Sequence, residues 1–299
     1  MTDEPPPVGA VVGAVVVNYN AGAYLGACLD SLQSAGVKRI VVVDNHSTDG
    51  SEAVAASQPT VTWLPSGANL GYGKAANVGA AVLDSEYFLV CNPDLIVSPG
   101  SPAALLRRLL GDPALAVVGP RMVNPDGSLY PSARTFPAMV DAIGHGMFGL
   151  LVPNNPFTRR YRLLDWDHRD ATRVDWVSGA CFLARREAWD DIGGFDPRYF
   201  MYLEDVDLCW RAQQAGWAVG YEPAAEVMHV QGVSAGQHPY RMLLAHHRSM
   251  WRFAGQSTTG AGRLMLPVLA AGLVGRLALA CLTHRFGSPV RGAAVGQVP

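Results

Sequence analysis

Charge is scarce in this 299-residue chain: only 16% of residues are Asp, Glu, Lys or Arg, against about 25% in ordinary soluble domains. Lysine occurs twice, as Lys38 and Lys74. The formal charge is −2, so no positive excess exists to neutralise phosphates, and no nucleic-acid partner is expected. Cysteine is limited to Cys28, Cys91, Cys181, Cys209 and Cys281. That odd number, with no C-x-x-C pair, argues against a disulfide framework or zinc knuckle and for buried free thiols in a reducing compartment. No charged-then-apolar leader opens the chain. It begins Met1-Thr-Asp-Glu-Pro-Pro-Pro7, so export by a standard signal is not expected and a cytoplasmic location is. The G-x-G-x-x-G and G-x-x-x-x-G-K-[ST] phosphate loops are missing, which removes the main support for a Rossmann dehydrogenase or a P-loop NTPase. The 32 Gly and 21 Pro show no period, and 49% of the chain is apolar, which excludes collagen-like and disordered classes.

Acids are also missing from one region. Residues 227–299 contain no Asp or Glu but carry Arg241, Arg248, Arg252, Arg263, Arg276, Arg285 and Arg291. That block is +7 and the rest of the chain −9. Two regions with different electrostatic work are implied.

What is present is a regular alternation. Apolar runs at Val11–Val17, Arg39–Val43, Val61–Leu64, Tyr87–Cys91 and Leu115–Gly119 read as strands. Segments with helical spacing fall between them at Ala21–Ala35, Gly73–Leu83 and Pro99–Leu110. This predicts an α/β fold with a mostly parallel sheet covered by helices. Asn18, Asp44 and Asp94 each follow an apolar run, and Asn69 lies on a loop after one. Such residues commonly make turns and caps. Four in phase, however, point to one crevice at the carboxyl ends of the strands, where open α/β sheets bind ligands.

Three features carry chemistry. Asn92-Pro93-Asp94 puts a carboxylate at a strand end, suited to a hard divalent cation shared with substrate phosphates. Glu204-Asp205-Val206-Asp207 crowds three acids at the start of a predicted helix, beside Tyr199-Phe-Met-Tyr202. Acids there suit the helix dipole, and their crowding among aromatics can also raise a pKa and create a general base. Asp205 and Asp207 project differently, so one is expected to deprotonate a substrate and another to cap the helix or bind Arg211. His229 follows a predicted strand, Ala218–Tyr221, and a loop holding Pro223.

These segments, in order, resemble glycosyltransferase family 2, the inverting nucleotide-sugar transferases of the GT-A fold. The likeness is carried by Val15-Val-Val-Asn-Tyr-Asn20, Val41-Val-Val-Asp-Asn-His-Ser-Thr-Asp-Gly50, Asn69-Leu-Gly-Tyr-Gly73, Asn77 and Asn92-Pro-Asp94. It continues in Trp176-Val-Ser-Gly-Ala180, Gly193-Gly-Phe-Asp196, Phe200 through Arg211, and Val227-Met-His229. Pro120–Pro137 resembles the rhamnosyltransferase branch that adds L-rhamnose to N-acetylglucosaminyl-diphospho-polyprenol in cell-wall (arabinogalactan linker) synthesis.

The resemblance implies roles. Asp44 would contact the base or ribose, with Asn18 and Asn20 lining the same nucleotide pocket. Asn69, Asn92 and Lys74 would lie near the nucleotide, Lys74 toward the diphosphate. Asp94 and His229 would hold Mg²⁺ or Mn²⁺; Asn92 replaces the first acid of the family's Asp-x-Asp motif and is a weaker, neutral ligand. Trp176 and Gly179 would shape the acceptor side. Asp205 would be the base, with Glu204 beside it. The implied partners are a nucleotide-sugar donor, dTDP-L-rhamnose, and a polyprenyl-diphosphate-linked sugar acceptor. Other donors or polysaccharide acceptors, or an inactive sugar-nucleotide-binding scaffold, are the alternatives.

The expected organisation is a catalytic domain over residues 1–235, with a nucleotide-binding half at 8–120 and an acceptor half at 121–235. A basic, apolar helical region follows at 236–299. Leu264–Leu282 is borderline in length for a span and holds Arg276. Interfacial helices are therefore expected, with Arg248, Arg252, Arg263, Arg276 and Arg285 facing anionic headgroups on the inner face of the plasma membrane. An amphipathic tail packed on the catalytic domain, or a homo-oligomer contact, are the other readings.

Overall fold

A computed structural model describes residues 6–136, 163, 166–231 and 239–286, with side chains placed as far as Cys281. Pro137, the side chain of Arg285, and Arg291 lie outside the described residues. In chain order the elements are α1 (Val8–Val11), β1 (Val12–Asn18), α2 (Ala23–Ser34), β2 (Ile40–Asp44), α3 (Ser51–Ala56), β3 (Val61–Pro65), α4 (Tyr72–Val82), β4 (Tyr87–Cys91), β5 (Leu95–Val97), α5 (Ser101–Gly111) and β6 (Leu115–Val123). Then come β7 (Leu129–Tyr130), β8 (Ala133–Arg134), β9 (Thr172–Val174), β10 (Trp176–Val177), β11 (Cys181–Arg185), α6 (Arg186–Ile192), α7 (Glu204–Gln214), β12 (Ala218–His229), α8 (Pro239–Ser257), a 3₁₀ helix (Gly260–Met265) and α9 (Leu266–Phe286).

The main sheet runs β3-β2-β1-β4-β11-β6-β12-β5, with β7 beside β6 and β9 beside β12; β8 and β10 pair separately. Strands β1, β2 and β4 are buried along their whole length. Their β-branched runs suit strands covered on both faces. The β3-β2-β1-β4 portion is parallel, as the alternation predicts, and so is β6-β12. Antiparallel β11 joins the two portions, pairing with both β4 and β6.

Alternate side chains feed two cores. One face packs Val15, Val43, Phe88 and Val90 against Ala75, Ala76 and Ala80 of α4 and against Trp189, Val206 and Cys209. The other packs Val16, Val42 and Leu89 against Leu25, Leu29 and Leu32 of α2 and against Leu105 and Leu109 of α5. Each of these fully buried leucines is worth about 1.5–3 kcal/mol, so α2 and α5 clamp that face firmly.

Register sets the site. Asn18 pairs with Asp44, which places these two strand ends level. Asp44 is the last residue of β2 rather than the first beyond it. Strand β12 also runs further than the predicted Ala218–Tyr221. It crosses Pro223 through a register shift between Glu222 and Glu226, where a residue without an N–H breaks the ladder. The extension delivers His229 opposite Leu95.

Gly71 precedes α4 with φ +83°, and a β-carbon there would overlap the Phe200 carbonyl. The neighbouring Tyr72 amide donates to that same carbonyl at 3.0 Å. Gly71→Ala should cost about 1–3 kcal/mol in chemical denaturation; a loss within error would show that the 71–72 and 200 segments are not clamped.

Candidate functional site

At the head of the parallel strands, short polar side chains bond one another. Asn18 donates to Asp44 Oδ1 at 3.1 Å and to Ser47 Oγ at 3.0 Å. Asp44 accepts the Ser47 amide, and Asn20 Oδ1 accepts the Thr48 amide at 2.7 Å. Asn45 bridges to the next loop: it donates to Asn69 Oδ1 and accepts the Leu70 amide at 2.7 Å. The loop after β2 and the loop after β3 are thereby locked together.

A 370 Å³ pocket opens beside this network. Of the residues singled out in the sequence, Asn69, Asn92, Asp94 and His229 line it. Asn18 and Asp44 are buried next to it and shape it through Ser47 and Asn45. Lys74 is exposed on α4 and is absent from the lining; the cationic residue in the wall is Arg241. Tyr72 and Gly73 take the buried face of the first turn of α4 and leave Lys74 in solvent. Arg241, Tyr19, Asn45, Tyr72, Phe200 and Tyr202 complete much of the wall. Sequence reasoning gave these no role in the pocket, although Asn45 sits beside Asp44 and Arg241 opens the acid-free block.

Asp94 and His229 meet because β5 pairs antiparallel with the end of β12. His229 Nε2 lies 3.3 Å from Asp94 Oδ1 and 3.3 Å from Asn92 Nδ2, and its Nδ1 has no partner. Among the described residues no group of three His, Cys, Asp or Glu side chains surrounds a metal-sized space. This pair offers one carboxylate and one imidazole, and oxygen ligands from elsewhere would have to complete a shell.

The three acids sit at the start of α7 and have separate environments. Tyr202 and Leu203, just before the helix, are both left-handed, with φ 66° and 61°. That is a costly backbone for side chains of this size. Asp207 is fully buried; its oxygens accept from Arg211 Nε at 2.7 Å and Gln256 Nε2 at 2.8 Å. It is thus the structural acid of the set, bound to Arg211 as the four-residue spacing predicts. Asp205 is half-buried and accepts the Gly179 and Val206 amides at 2.8 and 2.9 Å. Burial raises its carboxyl above the usual range, and those amides and the Arg134 charge pull against the rise. Glu204 is buried with Oε2 unpartnered. Burial first, then the Asp205 and Asp207 charges, push its carboxyl up to about 8.

Neither Glu204 nor Asp205 lines the 370 Å³ pocket. Asp205 connects to it through Tyr72, whose hydroxyl donates to the Gly179 carbonyl at 2.6 Å while the Gly179 amide holds Asp205. Trp176 is buried, donates to the Thr135 carbonyl at 2.8 Å, and stacks on the Arg134 guanidinium at 4.9 Å. It supports this region from beneath. Cys28, Cys91, Cys181 and Cys209 are buried free thiols, as expected.

A carboxyl raised on folding binds its proton more tightly in the folded state, so stability is lost as pH rises through the folded value. For Glu204 the window runs from the ordinary 4.5 to about 8. The thermal midpoint should fall between about pH 5 and about pH 8, and Glu204→Gln should flatten that slope. An unaltered slope in the variant would refute the buried, unpaired placement.

The model of the family described as glycosyl transferase family 2 matches residues 14–193. The N-acetylglucosaminyl-diphospho-decaprenol L-rhamnosyltransferase of Mycobacterium tuberculosis is 40% identical over 270 residues, covering 86% of this chain and 88% of that protein. The rhamnosyltransferase WbbL of Escherichia coli is 26% identical, covering 73% and 83%. Among solved structures, S. aureus TarS 1–349 aligns with TM-score 0.56 at 16% identity over 94% of this chain and 75% of that one. GalNAc-T7 with UDP, GalNAc and Mn2+ aligns with TM-score 0.57 at 18% identity over 74% and 43%.

Proposed function

The chain belongs to glycosyl transferase family 2, and from that premise we propose that it transfers L-rhamnose from dTDP-L-rhamnose to N-acetylglucosaminyl-diphospho-polyprenol with inversion. The observation that carries the reading is the placement of Asp94 and His229 in the wall of a pocket joined through Tyr72 and Gly179 to Asp205. The likeness to the mycobacterial rhamnosyltransferase supports the choice of sugar and acceptor.

In this scheme the nucleotide lies against Asn45 and Asn69, with Asp44 and Asn18 fixing the loops that hold it. Asp205 takes the proton of the acceptor hydroxyl. The freed oxygen bonds to the anomeric carbon as the bond from that carbon to the nucleotide diphosphate breaks, and the nucleoside diphosphate leaves from the opposite face. Asp94 and His229 suit Mn²⁺ or Mg²⁺, because a carboxylate and an imidazole side by side leave positions for diphosphate oxygens. Such an ion, when bound, offsets charge on the leaving diphosphate. Arg241 supplies further positive charge in the same wall. Burial and the neighbouring acids favour the neutral form of Glu204, which keeps a second negative charge away from Asp205.

With radiolabelled dTDP-rhamnose and a polyprenyl-diphosphate-linked N-acetylglucosamine, the wild type should transfer rhamnose. Asp205→Asn should lose about 10²–10⁴-fold in kcat while retaining dTDP affinity. A variant that transfers at the wild-type rate removes Asp205 as the base, and a wild type that uses only another labelled donor corrects the sugar.

We propose that the C-terminal elements hold the protein on the cytoplasmic face of the membrane, a reading for which their exposed apolar surface is the support. One apolar stretch, Gly260–Cys281, is long enough to cross a membrane by length and composition. Leu264 is 81% and Val274 69% exposed, and Val268 and Leu279 also face outward. So large an apolar surface calls for a cover. Apolar residues go all round α9, so it lacks the polar face of the expected amphipathic helix. Arg276 turns inward, its Nη1 3.5 Å from Met250 Sδ of α8, rather than outward to headgroups. Full-length protein should float with anionic liposomes in a density gradient, and protein left at the bottom would refute membrane docking.

A further inference from the structure

A second and larger cavity, a cleft of 1020 Å³, lies along α8 and is lined by Arg198, Arg241, Arg248 and Arg252 together with Leu244 and Trp251. Positions 241, 244, 248, 251 and 252 recur at helical spacing, so one face of α8 carries nearly all of it. Arg198 is committed to Asp196. Among the described residues no carboxylate pairs with Arg241, Arg248 or Arg252, and no acid lines the cleft. Arg252 is oriented over the Tyr199 ring at 5.8 Å.

The helix bearing these arginines is fastened to the site. Ser249 Oγ donates to the Met201 carbonyl at 2.9 Å, and Gln256 holds Asp207 of α7. Phe200 and Arg241 line both this cleft and the 370 Å³ pocket, so the two cavities share a wall. Guanidinium groups without counter-charges, gathered in a concave surface, select anions and above all phosphate oxygens. Leu244 and Trp251, both exposed, add an apolar border. The ligand that matches all three features is multiply anionic, carries an apolar chain, and has one end beside the donor pocket.

Resting on the rhamnosyltransferase reading, we propose that this cleft is the acceptor subsite. Arg248 and Arg252 hold the diphosphate of the polyprenyl-linked sugar, its first isoprene units lie along Leu244 and Trp251, and its sugar reaches past Phe200 toward the donor.

The test uses the full-length protein in neutral detergent, with N-acetylglucosaminyl-diphosphoryl-citronellol as acceptor and octyl N-acetylglucosaminide as a control lacking diphosphate. The R248Q/R252Q protein should show an acceptor KM raised at least about tenfold, with the dTDP-rhamnose KM and kcat unchanged. Its preference for the diphosphate acceptor over the octyl glycoside should shrink by the same factor. Circular dichroism and dTDP affinity matching wild type establish folding; if the double variant fails these, R248Q alone should give a smaller rise in the same KM. An unchanged acceptor KM, with loss confined to binding of anionic phospholipid vesicles, would assign the arginines to headgroups and overturn the proposal. If wild type transfers no rhamnose, calorimetry with the same citronellol acceptor separates the two readings. Binding that R248Q/R252Q loses keeps the cleft and rejects the transfer reaction, whereas no binding by wild type rejects the cleft.

Discussion

The buried carboxylate of Asp207 is the interaction on which the rest of the site depends. It has no solvent to stabilise it, so its charge is held by Arg211 and its other oxygen by Gln256. Arg211 in turn donates to the Ile192 and Gly194 carbonyls at 2.6 and 2.7 Å. One buried ion pair therefore ties together the helix that presents Glu204 and Asp205, the turn after α6, and the helix that carries the arginine cleft. Removing one partner of such a pair typically costs about 3–5 kcal/mol, because the other charge stays buried. Here the disturbance would reach both cavities, since α7 and α8 meet at this point.

Much of this was legible in the sequence. The parallel strands were readable because burial on both faces leaves unbroken runs such as Val12–Val17 and Ile40–Val43. The family motifs located Asn69, Asn92, Asp94 and His229, and the pocket contains all four. The four-residue interval between Asp207 and Arg211 foretold their ion pair. What was not legible depended on long-range pairing. Strand β12 continues past Pro223 because β6 and β5 supply partners on both sides of the irregularity, and no local pattern records that. The exposure of Lys74 was not legible for a related reason: a motif gives position along the chain, whereas the turn of α4 decides which side faces solvent.

The charge asymmetry resolves into geometry as well. The acid-free block forms α8 and α9, and its arginines do not behave as one patch. Arg241, Arg248 and Arg252 share a face of α8, Arg263 donates to the Thr258 carbonyl, and Arg276 is folded back against Met250. Of the acids in the remaining chain, Glu204, Asp205 and Asp207 gather at the start of α7, where burial raises their proton affinity. The arginines of α8 thus lie on the helix next to the acids of α7 without an ion pair between the two helices among the described residues; the contact there is the neutral Gln256 amide donating to Asp207.

The short ladder between β5 and β12 has an entropic meaning. Three paired residues, closed by the Val230 amide donating to the Asp94 carbonyl at 3.1 Å, fix the spacing of Asp94 and His229 through the backbone. Both side chains are already ordered by folding, and neither hangs from a free loop. The rotational freedom that a flexible pair would surrender on capturing a ligand has been given up in advance, as part of sheet formation. Recognition in this wall can therefore be fast and geometrically strict, with its conformational cost carried by the stability of the whole sheet.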